Sequence, residues 1–124
     1  MDTCSFLCII TNDPKLPLSA RELFVNPDND VFLSTVSSWE IVVKYTLGRL
    51  PLPAPPDKII PNQRKLHEIE SLSLDEETTL HLTKLPDYHK DPFDRMIVCQ
   101  ALVHGLTILT PDEAIQKYPV KTIW

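Results

Sequence analysis

The sequence predicts an α/β sandwich built on a mainly parallel sheet. Three observations carry this. Short β-rich runs at 30–35 ("DVFLST"), near 69–74 and at 106–110 ("LTILT") alternate with helical stretches, the order that makes strand–helix–strand crossovers. "LTILT" reads as a continuous apolar run of the kind buried on both faces of a parallel sheet. The chain has 124 residues, 43% hydrophobic and 23% charged, ordinary for a globular chain, so residues 1–124 read as a single domain.

The elements follow in order. Residues 3–11, "TCSFLCIIT", are apolar enough for helix or strand. "SARELFVN" (19–26) reads as a short helix behind a serine cap. After the first strand, "VSSWEIVVKYTLG" (36–48) reads as a helix. Ser37 would be its N-cap, Glu40 would complete a capping box three residues on, and Gly48 would end it. "RLPLPAPPDKIIP" (49–61) reads as an extended, proline-rich surface connection, with a helix near 57–67 after it. Asp75 opens a helix to about Lys84. Asp91 as N-cap, Pro92 in the first turn and Gly105 as a left-handed cap delimit a helix over 92–104. That helix is apolar on most sides, hence buried on most sides. "PDEAIQKYP" is a short helix or turn, and "VKTIW" a last strand.

Composition excludes several function classes. Two glycines cannot build a GxGxxG turn or a P-loop, which removes dinucleotide oxidoreductases and P-loop NTPases. A net charge of −5 argues against a generic nucleic-acid coat, but not against an enzyme that gathers acids around a metal. Cys4, Cys8 and Cys99 are odd in number and lack CxxC spacing, so they read as reduced packing thiols in a cytoplasmic protein. The start has no basic leader, and no apolar run is long enough to span a membrane.

In parallel α/β sheets, sites form where strands run into helix N-termini. Four carboxylates fall at such places: Asp2 before the first apolar run, Glu40 after "DVFLST", Asp94 at the head of the buried helix, and Asp112 after "LTILT". Each has a plainer reading. Glu40 could complete its capping box, Asp112 could cap the turn behind Pro111, Asp94 could favour the positive helix end, and Asp2 could be a solvated charge. Converging carboxylates repel one another, and a hard dication relieves that repulsion. The histidines, at 67, 81, 89 and 104, show no zinc spacing, and His89 near Asp91 reads as a loop hydrogen bond. Trp39, beside Glu40, could stack a base, but its type reads first as core packing.

Longer motifs resemble a known family. "MDTCSFLCI" is similar to the L-D-T opening of PIN-domain ribonucleases. "LSTVSSWEIVVKYTLGRLPLP" resembles their S-x-W-E helix, and "LPDYHKDPFDR" with the later "TPD" resembles the branch of VapC-type toxins of bacterial toxin–antitoxin pairs. The resemblance implies a PIN-like three-layer sandwich and a Mg²⁺- or Mn²⁺-dependent endoribonuclease leaving a 5′-phosphate and a 3′-hydroxyl. It implies Asp2, Glu40, Asp94 and Asp112 as catalytic metal ligands, Thr110 ordering water or metal, Arg95 bracing the acids, and Asp91 as the helix cap. Lys44, Arg49 and Lys90 would meet RNA phosphate. A small cognate antitoxin and a homodimer are the implied partners.

One departure stands out: only Met1 precedes Asp2, so the family's first strand is truncated here. That keeps open an alternative, a catalytically impaired PIN-fold module that binds RNA or antitoxin without cutting. A phosphoacceptor domain of the receiver kind needs a lysine at the end of a late strand, and Lys121 begins one.

Overall fold

Asp2 decides the first element. Its backbone is extended and its carboxylate accepts from the Ser5 N–H, so the ambiguous run behind it becomes helix α1 (Thr3–Ile10). A computed structural model describes residues 1–124. The order continues as α2 (Leu18–Val25), β1 (Phe32–Ser34), α3 (Thr35–Thr46), α4 (Pro56–Leu66), β2 (Glu70–Leu72), α5 (Glu76–His81), α6 (Pro92–His104), β3 (Ile108–Leu109) and β4 (Thr122–Ile123). Tight 3₁₀ turns at Leu82–Lys84 and Ile115–Lys117 complete it.

Helix α6 follows its sequence signals closely. Asp91 caps it through Phe93 N at 2.8 Å and Asp94 N at 3.3 Å, and Gly105 closes it at φ +66°. Two other caps differ from expectation. Helix α2 starts behind Pro17 with no side-chain cap, so Ser19 lies inside it. Helix α3 starts at the very end of β1, and its cap is Ser34, which accepts from Val36 N at 3.1 Å. Ser37 is therefore inside the helix, fully buried, with its hydroxyl unpartnered. No capping box forms at Glu40. The proline-rich stretch is also shorter than expected, because Pro56 begins α4.

Helix α3 is central and packs against α1, α4 and α6. One core cluster gathers Val98, Cys99, Ile108 and Ile115 around α6, and another gathers Phe6, Leu33, Ile41 and Ile59 between α1, α3 and α4. The strands are parallel, as predicted, but they form two pairs, β1–β2 and β3–β4, rather than one continuous sheet. Residues 1 and 2 stand between the pairs. The Met1 amino group donates to Phe32 O at 3.0 Å, and Asp2 N donates to Leu109 O at 3.1 Å. A cavity of about 460 Å³ also opens between the pairs, lined by Val31, Phe32, Ile108 and Leu109 with Ile97 and Ala101 of α6 beneath.

An apolar strand joined in front of Met1 would continue along both open edges and fill this cavity. Five added apolar residues are expected to raise the melting temperature by about 5 °C or more, while five glycine–serine residues leave it unchanged. Identical melting of the two extended chains would show that the gap does not take a strand.

Candidate active site

Four acids from four segments line one cavity of about 520 Å³: Asp2 ahead of α1, Glu40 within α3, Asp94 in the first turn of α6, and Asp112 after β3. Lys44 and Asp91 line it too. The four acids expected from the sequence thus line one cavity, with each acid held differently.

Asp2 is buried. Its Oδ1 accepts from Ser5 N at 2.9 Å and Ser5 Oγ at 2.6 Å, and its Oδ2 accepts from Thr110 Oγ1. Thr110 Oγ1 also accepts from Asp112 N at 3.0 Å, so one hydroxyl links two of the acids. Glu40 is equally buried; its Oε1 accepts from Thr3 Oγ1 and its Oε2 from Lys44 Nζ, both at 2.6 Å. Asp112 fills both of its sequence readings. Its Oδ1 caps the following turn through Ala114 N and Ile115 N, and its Oδ2 faces the cleft.

His89 was missed as a site residue by the sequence reading. Its Nδ1 does make the expected loop bond, accepting from Asp91 N at 3.0 Å. Its Nε2 then lies against two of the acids, 3.0 Å from Asp112 Oδ2 and 3.2 Å from Asp94 Oδ2. No short spacing announces this, because the three residues come from a loop, a helix and a strand end.

Other expected residues lie elsewhere or act otherwise. Arg95 touches none of the four acids; its guanidinium binds Asp87 Oδ1 at 3.0 Å and the carbonyls of Pro86 and His89, bracing the loop instead. Lys44 is engaged with Glu40 rather than free. Arg49 and Lys90 are exposed. Trp39 is not core: it is 59% exposed and packs edge-on against Phe93 with ring centroids 4.8 Å apart.

The electrostatics follow from this crowding. Burial, then the charges of Asp91 and Glu40, push the Asp94 carboxyl up to about 7. Asp112 goes the other way. Burial opposes its charge, but the His89 bond and the N–H groups of Ile115 and Ala114 outweigh burial and hold it below the usual range. Lys44 is raised, chiefly by its bond to Glu40. Oxygen donors with excess negative charge suit a hard divalent cation, and one ligand-type atom each from His89, Asp94 and Asp112 lie within 4.8 Å of one another. The donor set fits such an ion.

The raised Asp94 value has a stability consequence. The folded chain keeps that proton up to about pH 7, whereas an ordinary aspartate loses it near 3.8. Between those values the folded state binds more protons, so this group weakens the fold as pH rises. Asp94→Asn is expected to raise the metal-free melting temperature at pH 8, with the gain fading toward pH 4. A gain independent of pH would show that Asp94 is not under charge strain.

Residues 1–121 match the PIN domain family model. A stretch of 61 residues is 38% identical to Ribonuclease VapC16 of Mycobacterium tuberculosis (strain ATCC 25618 / H37Rv). That match spans 49% of this chain and 43% of the relative, so less than half of that protein's length is covered. In three dimensions the chain is similar to a chain in the crystal structure of VapBC2 from Rickettsia felis bound to a DNA fragment from their promoter. The TM-score is 0.66 over 98% of this chain and 93% of that one, at 17% identity, a likeness of fold. With almost every residue inside the matched region and four acids meeting in one cleft, the chain belongs to the PIN domain family.

Proposed function

We propose that this chain is a Mg²⁺- or Mn²⁺-dependent endoribonuclease, a cytoplasmic toxin of the VapC kind held silent by a small cognate antitoxin. The convergence of Asp2, Glu40, Asp94 and Asp112 on one cavity carries the reading. The partial match to a ribonuclease and the fold likeness to a VapBC2 chain support it. No helix is long and apolar enough to cross a membrane.

The four carboxylates would hold the cation. When bound, it would lower the pKa of water and neutralise phosphodiester charge; in-line attack of that water with the 3′-oxygen as leaving group would leave a 5′-phosphate and a 3′-hydroxyl. The chain's own groups prepare that site. Ser5 and Thr110 fix both oxygens of Asp2, and Thr3 and Lys44 fix those of Glu40, so neither acid reorganises when charge arrives. Asp91 anchors the helix end that carries Asp94. Arg49 and Lys90 are exposed cations available to RNA phosphate. Trp39 and Val42, exposed three residues apart on α3, offer apolar surface to an antitoxin helix or to a second copy in a homodimer.

Incubation with single-stranded RNA and Mn²⁺ tests the catalytic reading. Asp94→Asn is expected to abolish cleavage while leaving the fold intact. Asp91→Ala is expected mainly to cost about 1 kcal/mol of stability, as for other lost N-caps. Cleavage by Asp94→Asn at the parent's rate removes Asp94 from the site. RNA binding without cleavage by the parent favours a non-cutting PIN module.

The partner is tested in cells. Expression of this chain is expected to arrest growth, and co-expression of a small neighbouring gene to relieve it by forming a complex. A neighbour that forms no complex with this chain is not its antitoxin.

A further inference from the structure

His89 stands against two of the cleft acids, Asp94 and Asp112, and its surroundings are unusually fixed. Tyr118 is buried, and its hydroxyl oxygen accepts from Tyr88 N at 3.1 Å and from His89 N at 2.9 Å. Arg95 binds the His89 carbonyl from the other side. The loop backbone is pinned, so the ring is placed where it is.

The ring's two nitrogens have different jobs. Nδ1 faces a backbone N–H, that of Asp91, at 3.0 Å, and so must offer its lone pair. The ring proton is then on Nε2, the atom that lies between Asp112 Oδ2 and Asp94 Oδ2. Direct ligation by Nε2 would require the proton on Nδ1. Two donors would then face each other at Asp91, and the backbone N–H of the α6 cap would lose its acceptor.

We propose that His89 is a placeholder: its Nε2–H bonds to Asp112 Oδ2 and lies 3.2 Å from Asp94 Oδ2, and a divalent cation held by these acids would displace that contact instead of being ligated by His89. The inference rests on the metal-binding reading above and adds a competitor to it. In the metal-free chain the N–H offsets repulsion between the two carboxylates. On cation entry Asp112 Oδ2 would exchange its N–H bond for the ion. His89 is thus a positioning residue that sets how readily the site fills.

Calorimetric Mn²⁺ titration at one fixed pH tests this, with ¹⁵N spectra of the imidazole read alongside. His89→Ala is expected to bind Mn²⁺ about tenfold more tightly, since one charge-assisted hydrogen bond no longer has to be broken, and to melt lower without metal. His89→Gln keeps an N–H donor near the Nε2 position and is expected to return toward the parent affinity. The spectra of the parent are expected to show the proton on Nε2 both before and after Mg²⁺ is added. Weaker Mn²⁺ binding by His89→Ala, or a proton moved to Nδ1 on Mg²⁺ addition, would make His89 a ligand and overturn the proposal. Unchanged affinity in His89→Ala would reduce it to a loop anchor and overturn it equally. Absence of Mn²⁺ binding in parent and variants alike would instead sink the metal reading, and the displacement with it.

Discussion

The carboxylate of Asp2 is shared between fold and site. It caps α1 through Ser5, accepts from Thr110 beyond β3, and lies on a residue whose N–H bonds to Leu109. A buried charge is costly unless its lone pairs are met, and Asp2 meets them with groups 3 and 108 positions away. The first helix cannot move away from β3 without stranding that charge. Two of the other acids are positioned relative to it: Asp112 through the same Thr110 hydroxyl, Glu40 through Thr3, the residue after Asp2.

Much of this was legible in the sequence, because strong local signals agreed with tertiary position. Asp91, Pro92 and Gly105 bound α6 as written, and Asp2, Asp94 and Asp112 stand near segment ends that a parallel α/β fold brings together, with Glu40 joining them from the middle of α3. What was illegible depended on choices that no local window contains. Ser34 and Ser37 both precede the same apolar run; Ser34 wins because β1 delivers it in extended geometry, and the strand's end is settled by pairing with β2. Trp39 looks like a core residue by type, yet its helix is buried on another face, that of Val36, Ser37, Glu40 and Ile41. His89 fulfilled the modest role assigned to it through one nitrogen while the other lay against two of the acids. The split of the sheet is likewise a long-range outcome, since strand pairing joins residues tens of positions apart.

Charge is arranged against the proposed substrate until a cation is present. The chain carries −5 overall, and its cleft adds acidic groups where a polyanion would have to approach. The nearby positive charge of Lys44 is already committed to Glu40. On the proposed reading, cation and RNA are thermodynamically linked: each improves the affinity of the other by the same factor. Metal supply would then govern substrate capture as well as hydrolysis.

The division of the strands into two pairs bears on cooperativity. One core cluster belongs to α6 with β3 and another to α1, α3 and α4 with β1, which marks out two halves, while a third cluster ties Cys8 and Ile9 of α1 to Leu109 and Trp124 across them. Asp94 and Asp112 belong to the first half, Asp2 and Glu40 largely to the second. Partial openings that separate such halves cost less than global unfolding and occur far more often. Any such opening has to break the bonds that join Asp2 to Leu109 and Thr110, so Asp2 is the tie that holds the two pairs of acids together. An ion spanning both pairs would act as a second rivet beside Asp2.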